Sequence, residues 1–199
     1  VLQSSITKTA FHKSDNQLIL KDLNMDILNN NEVNPLFVIG KKISNSKLLG
    51  VSESDLNKIM KIFDLTIFEC DGARNKPLKA HTDYDPIVPQ YATHVVIIIG
   101  AEVVNTRVKD GLVHRPDLFC KTWEITDDIV MDTDFLCRIL SSEKGYLSKI
   151  QHNVNLSYFV NKADKHRVNA EKLASTIFDI TGNPSFLGSV KSDFIEQVG

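Results

Sequence analysis

Residues Val95–Ile99 form an unbroken run of Val and Ile, preceded by Thr93 and His94. β-Branched side chains are stiff at χ1 and suit a pleated strand. With no polar residue alternating along it, the run does not fit a sheet that keeps one face wet, and it is far shorter than the roughly 20 apolar residues a membrane helix needs. It predicts a strand buried on both sides, hence a mostly parallel sheet with helices on both faces.

Neighbouring segments fit that architecture. Leu156–Val160 is a second apolar strand, followed by a polar turn and a helix over about 168–180 that places Leu173, Ala174, Ile177 and Phe178 on one face. Gly182-Asn183-Pro184 stops it, and 185–190 reads as the returning strand. Asp132–Leu140 predicts another helix, with Phe135, Leu136, Ile139 and Leu140 inward. Ser52 and Asp55 have capping-box spacing ahead of Leu56, Ile59, Met60 and Phe63, which predicts a helix over about 53–63. Leu65–Cys70, closed by Asp71-Gly72, reads as a buried strand ending in a turn. Val1–Thr7 reads as an opening strand, Asn24 and Asn29–Asn31 as loop, and Leu36–Ile39 as a short hairpin-like strand. At 199 residues, with 42% hydrophobic and 24% charged, the chain is expected to fold as a single domain over 1–199.

The net charge of -2 opposes a general basic surface for nucleic acid or anionic membrane. The 3 cysteines, Cys70, Cys120 and Cys137, show no zinc or redox spacing, so a reduced, cytoplasmic protein is expected. Cys70, between two acids, is expected to have a raised thiol pKa.

In parallel sheets ligands sit at the carboxyl ends of strands. Asn161-Lys162-Ala163-Asp164 follows the second strand directly. An Asn-Lys-x-Asp segment there suits guanine: the carboxylate accepts from the ring N–H and the exocyclic amine, and the Lys stem lies over the ring. The alternative is a turn that caps the next helix. Asp71, after an apolar stretch, has the form of a strand-terminal acid that holds Mg2+ beside phosphates, or of an ordinary Asp-Gly turn. Arg74, Lys76 and Lys79 follow it, a cationic set able to meet phosphate or another anion. A Gly-x-x-x-x-Gly-Lys-Ser/Thr loop is absent: at Gly40-Lys41, Pro35 stands in place of the first Gly and Lys42 in place of the hydroxyl residue. His81, Asp83 and Asp85 with Glu69 and Asp71 raise a metal-dependent hydrolase as a further reading, against solvated or capping acids.

Several motifs in series resemble a known family. Lys47-Leu48-Leu49-Gly50, Glu69 to Arg74, Lys76 to Ala80, Asp85-Pro86-Ile87-Val88-Pro89, Val113-His114-Arg115-Pro116, Ile125-Thr126 and Asn161 to Asp164 together resemble the YqeC family. The resemblance implies a P-loop NTPase-like three-layer α/β sandwich and an accessory role in maturing a selenium-dependent molybdenum hydroxylase. It also implies that a first strand, phosphate loop and first helix precede Val1, with Ser4-Ser5-Ile6-Thr7-Lys8 matching a Thr-rich segment closed by Lys. Where the family has Glu-Ala-Asp this chain has Glu69-Cys70-Asp71, and where it has His-Glu-Pro this chain has Tyr84-Asp85-Pro86.

On that resemblance, Asn161, Lys162, Asp164, Thr7, Lys8 and Ser189 are the expected nucleotide-binding residues, for GTP or another NTP. Asp71 and Glu69 are the expected catalytic acids, with Asp71 on Mg2+, and turnover, if present, is expected to be slow. Arg74, Lys76, Lys79, His114 and Arg115 are expected to contact an anionic substrate or phosphate. A hydroxylase or its cofactor is the expected partner. The competing expectation is a non-enzymatic carrier that holds a molybdopterin-type cofactor on the loop from Arg74 to Pro89, since pterin and guanine share a donor edge.

Overall fold

The structure is a computed structural model that describes residues 17–20, 36–39, 41–44, 47–61, 63 and 65–199. Thr7, Lys8, the opening strand and the Asn-rich stretch therefore lie outside the described residues. The chain divides into two compact units, Val1–Gly72 and Ala73–Gly199.

In the first unit β1 (Gln17–Leu20) pairs in parallel with β2 (Leu36–Ile39), so β2 is not part of a hairpin with it. β3 (Lys41–Ser44) and β4 (Lys47–Leu49) form an antiparallel pair. Helix α1 (Glu53–Ile59) begins as its capping residues predict: the Ser52 hydroxyl accepts from the Asp55 backbone N–H at 3.1 Å and donates to the Asp55 carboxylate at 2.7 Å. It is shorter than expected, burying Leu56 and Ile59 but capping at Met60. The buried strand expected over 65–70 is corrected. These residues take no regular secondary structure, and Leu65 and Ile67 are 76% and 85% exposed. A run this short gains strand character only from a ladder partner and a covered face.

The second unit contains β5 (Leu78–Lys79), β6 (His94–Gly100), β7 (Thr106–Arg107), β8 (Val113–His114), α2 (Pro116–Trp123), β9 (Val130–Met131), α3 (Thr133–Leu140), β10 (Asn155–Asn161), α4 (Arg167–Thr181), β11 (Ser185–Ser189) and β12 (Phe194–Gln197). Its main sheet has the order β12-β11-β10-β6. β6, β10 and β11 run parallel, and β12 returns antiparallel on β11. Small pairs join β5 to β8 in parallel and β7 to β9 antiparallel. The α/β class with a mostly parallel sheet is as the periodicity predicted.

Register explains the core. Tyr158 lies beside Ile97 and Val160 beside Ile99 and Leu187, so these side chains share one face. Against it pack Leu136, Ile139 and Leu140 of α3 and Ala170, Leu173, Ala174 and Ile177 of α4. The Tyr158 hydroxyl meets the Leu140 carbonyl at 3.3 Å, satisfying a polar atom in that core. The Asp132 carboxylate caps α3 through the Phe135 N–H at 2.8 Å, and Gly182, at φ 67°, ends α4 in the left-handed region.

The opposite face departs from expectation. Val96 and Ile98 are 54% and 59% exposed, not buried, because α3 and α4 both lie on the other side of the sheet. Helix α2 was not foreseen either. Its signal is Pro116 at the first helical position, which a reading of His114-Arg115-Pro116 as a bare turn misses.

Candidate functional site

Parallel pairing aligns the carboxyl ends of β10 and β11, and the expected base-reading segment meets the end of the last parallel strand there. The Asn161 side-chain oxygen accepts from the Lys162 N–H at 2.8 Å and from the Val190 N–H at 3.2 Å, while the Ala163 N–H donates to the Gly188 carbonyl at 2.9 Å. Asn161 thus fastens two strand-end loops together. Asp164 is exposed, and hydrogen bonding from Ser189, with Ser192 and Lys165 adding to it, holds its carboxyl below the ordinary range. It is an ionised, solvent-facing acceptor beside Ser189.

Lys162 takes a left-handed backbone conformation (φ 67°) and pairs its ammonium with Glu102. Its side chain remains 46% exposed, against 13% for Glu102. Glu102 Oε2 is buried with no hydrogen-bond partner among the described residues. Glu102 follows the Gly100 end of β6, and a Cβ at Gly100 would lie 2.2 Å from that oxygen and 2.7 Å from Pro77 Cβ, so a larger residue there would displace the Glu102 carboxylate. Glu102 carries little local signal. A carboxylate two residues past a strand-ending Gly is its only signal.

A second cluster forms where β5 meets β8. Their register sets Lys79 beside His114, and the Ala80 N–H donates to the His114 carbonyl at 3.0 Å. Lys79 is 4% exposed and ion-paired to Asp85. Arg115 Nη1 donates to both Asp85 oxygens, at 3.0 and 2.8 Å, and to the Ala80 carbonyl at 3.2 Å. The Thr82 N–H and hydroxyl each reach Asp85 at 2.6 Å. Burial pushes the Asp85 carboxyl up, but the hydrogen bonds from Lys79, Thr82 and Arg115 outweigh it and leave it well below the ordinary range. Asp85 thus caps and pairs inside the fold.

The Tyr146 hydroxyl accepts from the Lys79 N–H at 3.1 Å and donates to its carbonyl at 3.2 Å, and burial pushes it up to about 12. His81 packs edge-on against that ring, centroids 4.5 Å apart, and burial followed by the Lys79 charge lowers it to about 4. His114 is lowered too, by burial and then by Arg115, Lys79 and Arg74. Lys76 donates to the Gly111 carbonyl at 2.6 Å, and Lys149 to the Thr82 carbonyl at 3.2 Å and to that of Asp83. Tyr146 and Lys149 lay beyond sequence reasoning, since 67 residues separate Tyr146 from Lys79 in the chain.

Glu69, Cys70 and Asp71 belong to the first unit, Glu69 exposed and Asp71 half-buried. The Cys70 thiol is pushed up to about 11 by burial and then by Glu69, the direction its neighbours predicted. Among the described residues no group of three or more His, Cys, Asp or Glu side chains is arranged to hold a metal ion, which leaves the reading on Asp71, His81 and Asp83 without a ligand set. Among them, too, no helix is long and apolar enough to cross a membrane.

A family model described as YqeC protein matches residues 2–117 of this chain. The stretch takes in Glu69, Asp71 and the whole run from Arg74 to Arg115 but not Asn161 to Asp164. A protein of Escherichia coli (strain K12), "Uncharacterized protein YqeC", is 24% identical over 99 residues, covering 50% of this chain. The chain spans about two fifths (39%) of the length of that curated relative. No solved structure matches it.

Proposed function

The chain belongs to the YqeC family, and from that premise we propose that it is a guanine-nucleotide-binding protein of P-loop NTPase descent that assists maturation of a selenium-dependent molybdenum hydroxylase. One observation carries the nucleotide reading: Asn161 ties the β10 and β11 loops so that the exposed, ionised Asp164 stands beside Ser189 at the carboxyl ends of parallel strands. A carboxylate kept ionised and open to solvent accepts two donors from guanine, whereas adenine offers no such pair. Lys162, with its ammonium held by Glu102, keeps an exposed stem to lie over the ring.

Mg2+ is held by one or two carboxylates together with substrate phosphates, so it needs no dense cluster of protein ligands. Asp71 and Glu69, two apart on a stretch without regular secondary structure, offer oxygen donors of that kind, and Asp71 is assigned to the ion. When bound, the ion would neutralise phosphate charge. The family resemblance assigns Thr7 and Lys8, outside the described residues, to nucleotide binding as well.

The test is a titration with a fluorescent GTP analogue and Mg2+, competed by GTP, ATP and a pterin. Displacement by GTP and not ATP is expected, and Asp164→Ala should weaken GTP by on the order of tenfold while leaving ATP unchanged. Equal affinity for GTP and ATP would remove the assignment, and displacement by the pterin alone would transfer it to a cofactor carrier.

A further inference from the structure

At the β5–β8 junction Lys79 and Arg115 both pair with the Asp85 carboxylate. Asp85 accepts from Lys79, from Arg115 and twice from Thr82, which leaves its oxygens little further capacity. Two cations thus share one carboxylate, one of them the nearly buried Lys79. Arg115, Lys79 and Arg74 lie near enough to act on the His114 ring, opposed by Asp85.

Other donors here carry no hydrogen bond among the described residues. Arg115 makes all its bonds through Nη1, and its Nε and Nη2 meet no described residue. Neither the His114 ring nor the exposed Arg74 guanidinium has a hydrogen-bond partner among them. Arg74 and Arg115 are both held at positive φ, 51° and 61°, a conformation that costs a non-glycine residue about 1 kcal/mol or more. Arg115 is also the N-cap of α2 and supplies no side-chain cap, so the helix's first N–H groups lack a side-chain acceptor. Asp117, exposed in the first turn, is the opposing charge there.

We infer that the outer edge of Arg115, with Arg74 and His114, binds the phosphate group of a small phosphorylated ligand. A planar guanidinium fork, a second guanidinium and an imidazole match an anion with three or more acceptor oxygens better than they match a single carboxylate. Lys79 takes no part in contact. Its place is beneath the site, holding Asp85. The inference stands apart from the base-reading role of Asp164, and the two fail separately.

Inorganic pyrophosphate titrated calorimetrically into the full chain at low salt tests it. Saturable binding is expected, weakened at least tenfold in Arg74→Gln and in Arg115→Lys and unchanged in Asp164→Ala. Arg115→Lys keeps a charge on Asp85 but loses the fork, and circular dichroism checks its fold. If that variant unfolds, the exposed Arg74→Gln decides the matter. Absent binding, binding indifferent to Arg74→Gln, loss in Asp164→Ala, or equal competition by succinate would each overturn the site. In a GTP arm, a parallel tenfold loss in Arg74→Gln supports the site and assigns it to the nucleotide's own phosphates. Unchanged GTP affinity, with pyrophosphate binding lost, supports it as the seat of a separate phosphorylated ligand.

Discussion

Asn161 accepts the Val190 N–H at 3.2 Å, joining residues that are 29 apart in sequence across the ends of two parallel strands. The same oxygen accepts the Lys162 N–H at 2.8 Å, so one amide fixes the backbone on both sides of the proposed base site. Asn161→Ala removes that acceptor. A stability loss of about 1 kcal/mol is expected from the broken bonds. GTP affinity is expected to fall further than this alone implies, because Asp164 and Ser189 lose their shared support. Chemical denaturation and a nucleotide titration on the same preparation separate the two effects.

Lys79 stands nearly buried against Asp85. Lys79→Met keeps the length and apolar stem but strands part of the carboxylate's charge, and a loss of about 3 kcal/mol is expected. Urea unfolding measures it. A change below about 0.5 kcal/mol would mean that Arg115 and Thr82 alone satisfy Asp85.

Acid should act on this cluster in two stages. His81 is lowered to about 4 in the folded chain from an ordinary value near 6.5, so the unfolded chain binds the extra proton first. Stability is therefore full above about pH 6.5 and falls as pH drops from there toward 4. Asp85 is also depressed, so its contribution is present above the unfolded carboxylate value near 3.9 and is lost as pH falls further. Thermal melts across pH 7 to 3 should show both limbs, and His81→Gln should shrink the first to the share of His114 while leaving the second.

Gly188 sits in β11 between two neighbours. A Cβ there would come within 2.3 Å of the Phe194 carbonyl oxygen and 3.0 Å of the Phe159 ring. Gly188→Ala is expected to cost about 1–3 kcal/mol by forcing β12 outward. Because Ser189 follows directly, a weakened GTP titration should accompany the lower unfolding midpoint.

Much of the second unit was legible before its structure. β6, α3, β10, α4 and β11 follow from apolar periodicity and from Asp132 and Gly182 at helix ends, which are local signals. The 65–70 segment misled for a physical reason. Its apolar, β-rich composition is what a strand needs, yet pairing and burial are supplied by other parts of the chain, and Leu65 and Ile67 stay exposed. Val96 and Ile98 misled similarly, since an apolar run cannot state how many of its faces are covered.

The sequence by itself determined that Asn161, Lys162 and Asp164 follow an apolar strand and that Arg74, Lys76 and Lys79 crowd one loop. Both are facts of adjacency, carried by spacing of a few residues. Only the tertiary structure decided that Asn161 meets Val190, that Lys162 meets Glu102, and that Lys79 turns inward to Asp85 while Arg115 keeps an open edge. The physical reason is that a charge's role depends on its desolvation and its partners, and those arrive from segments tens of residues away whose placement depends on strand register.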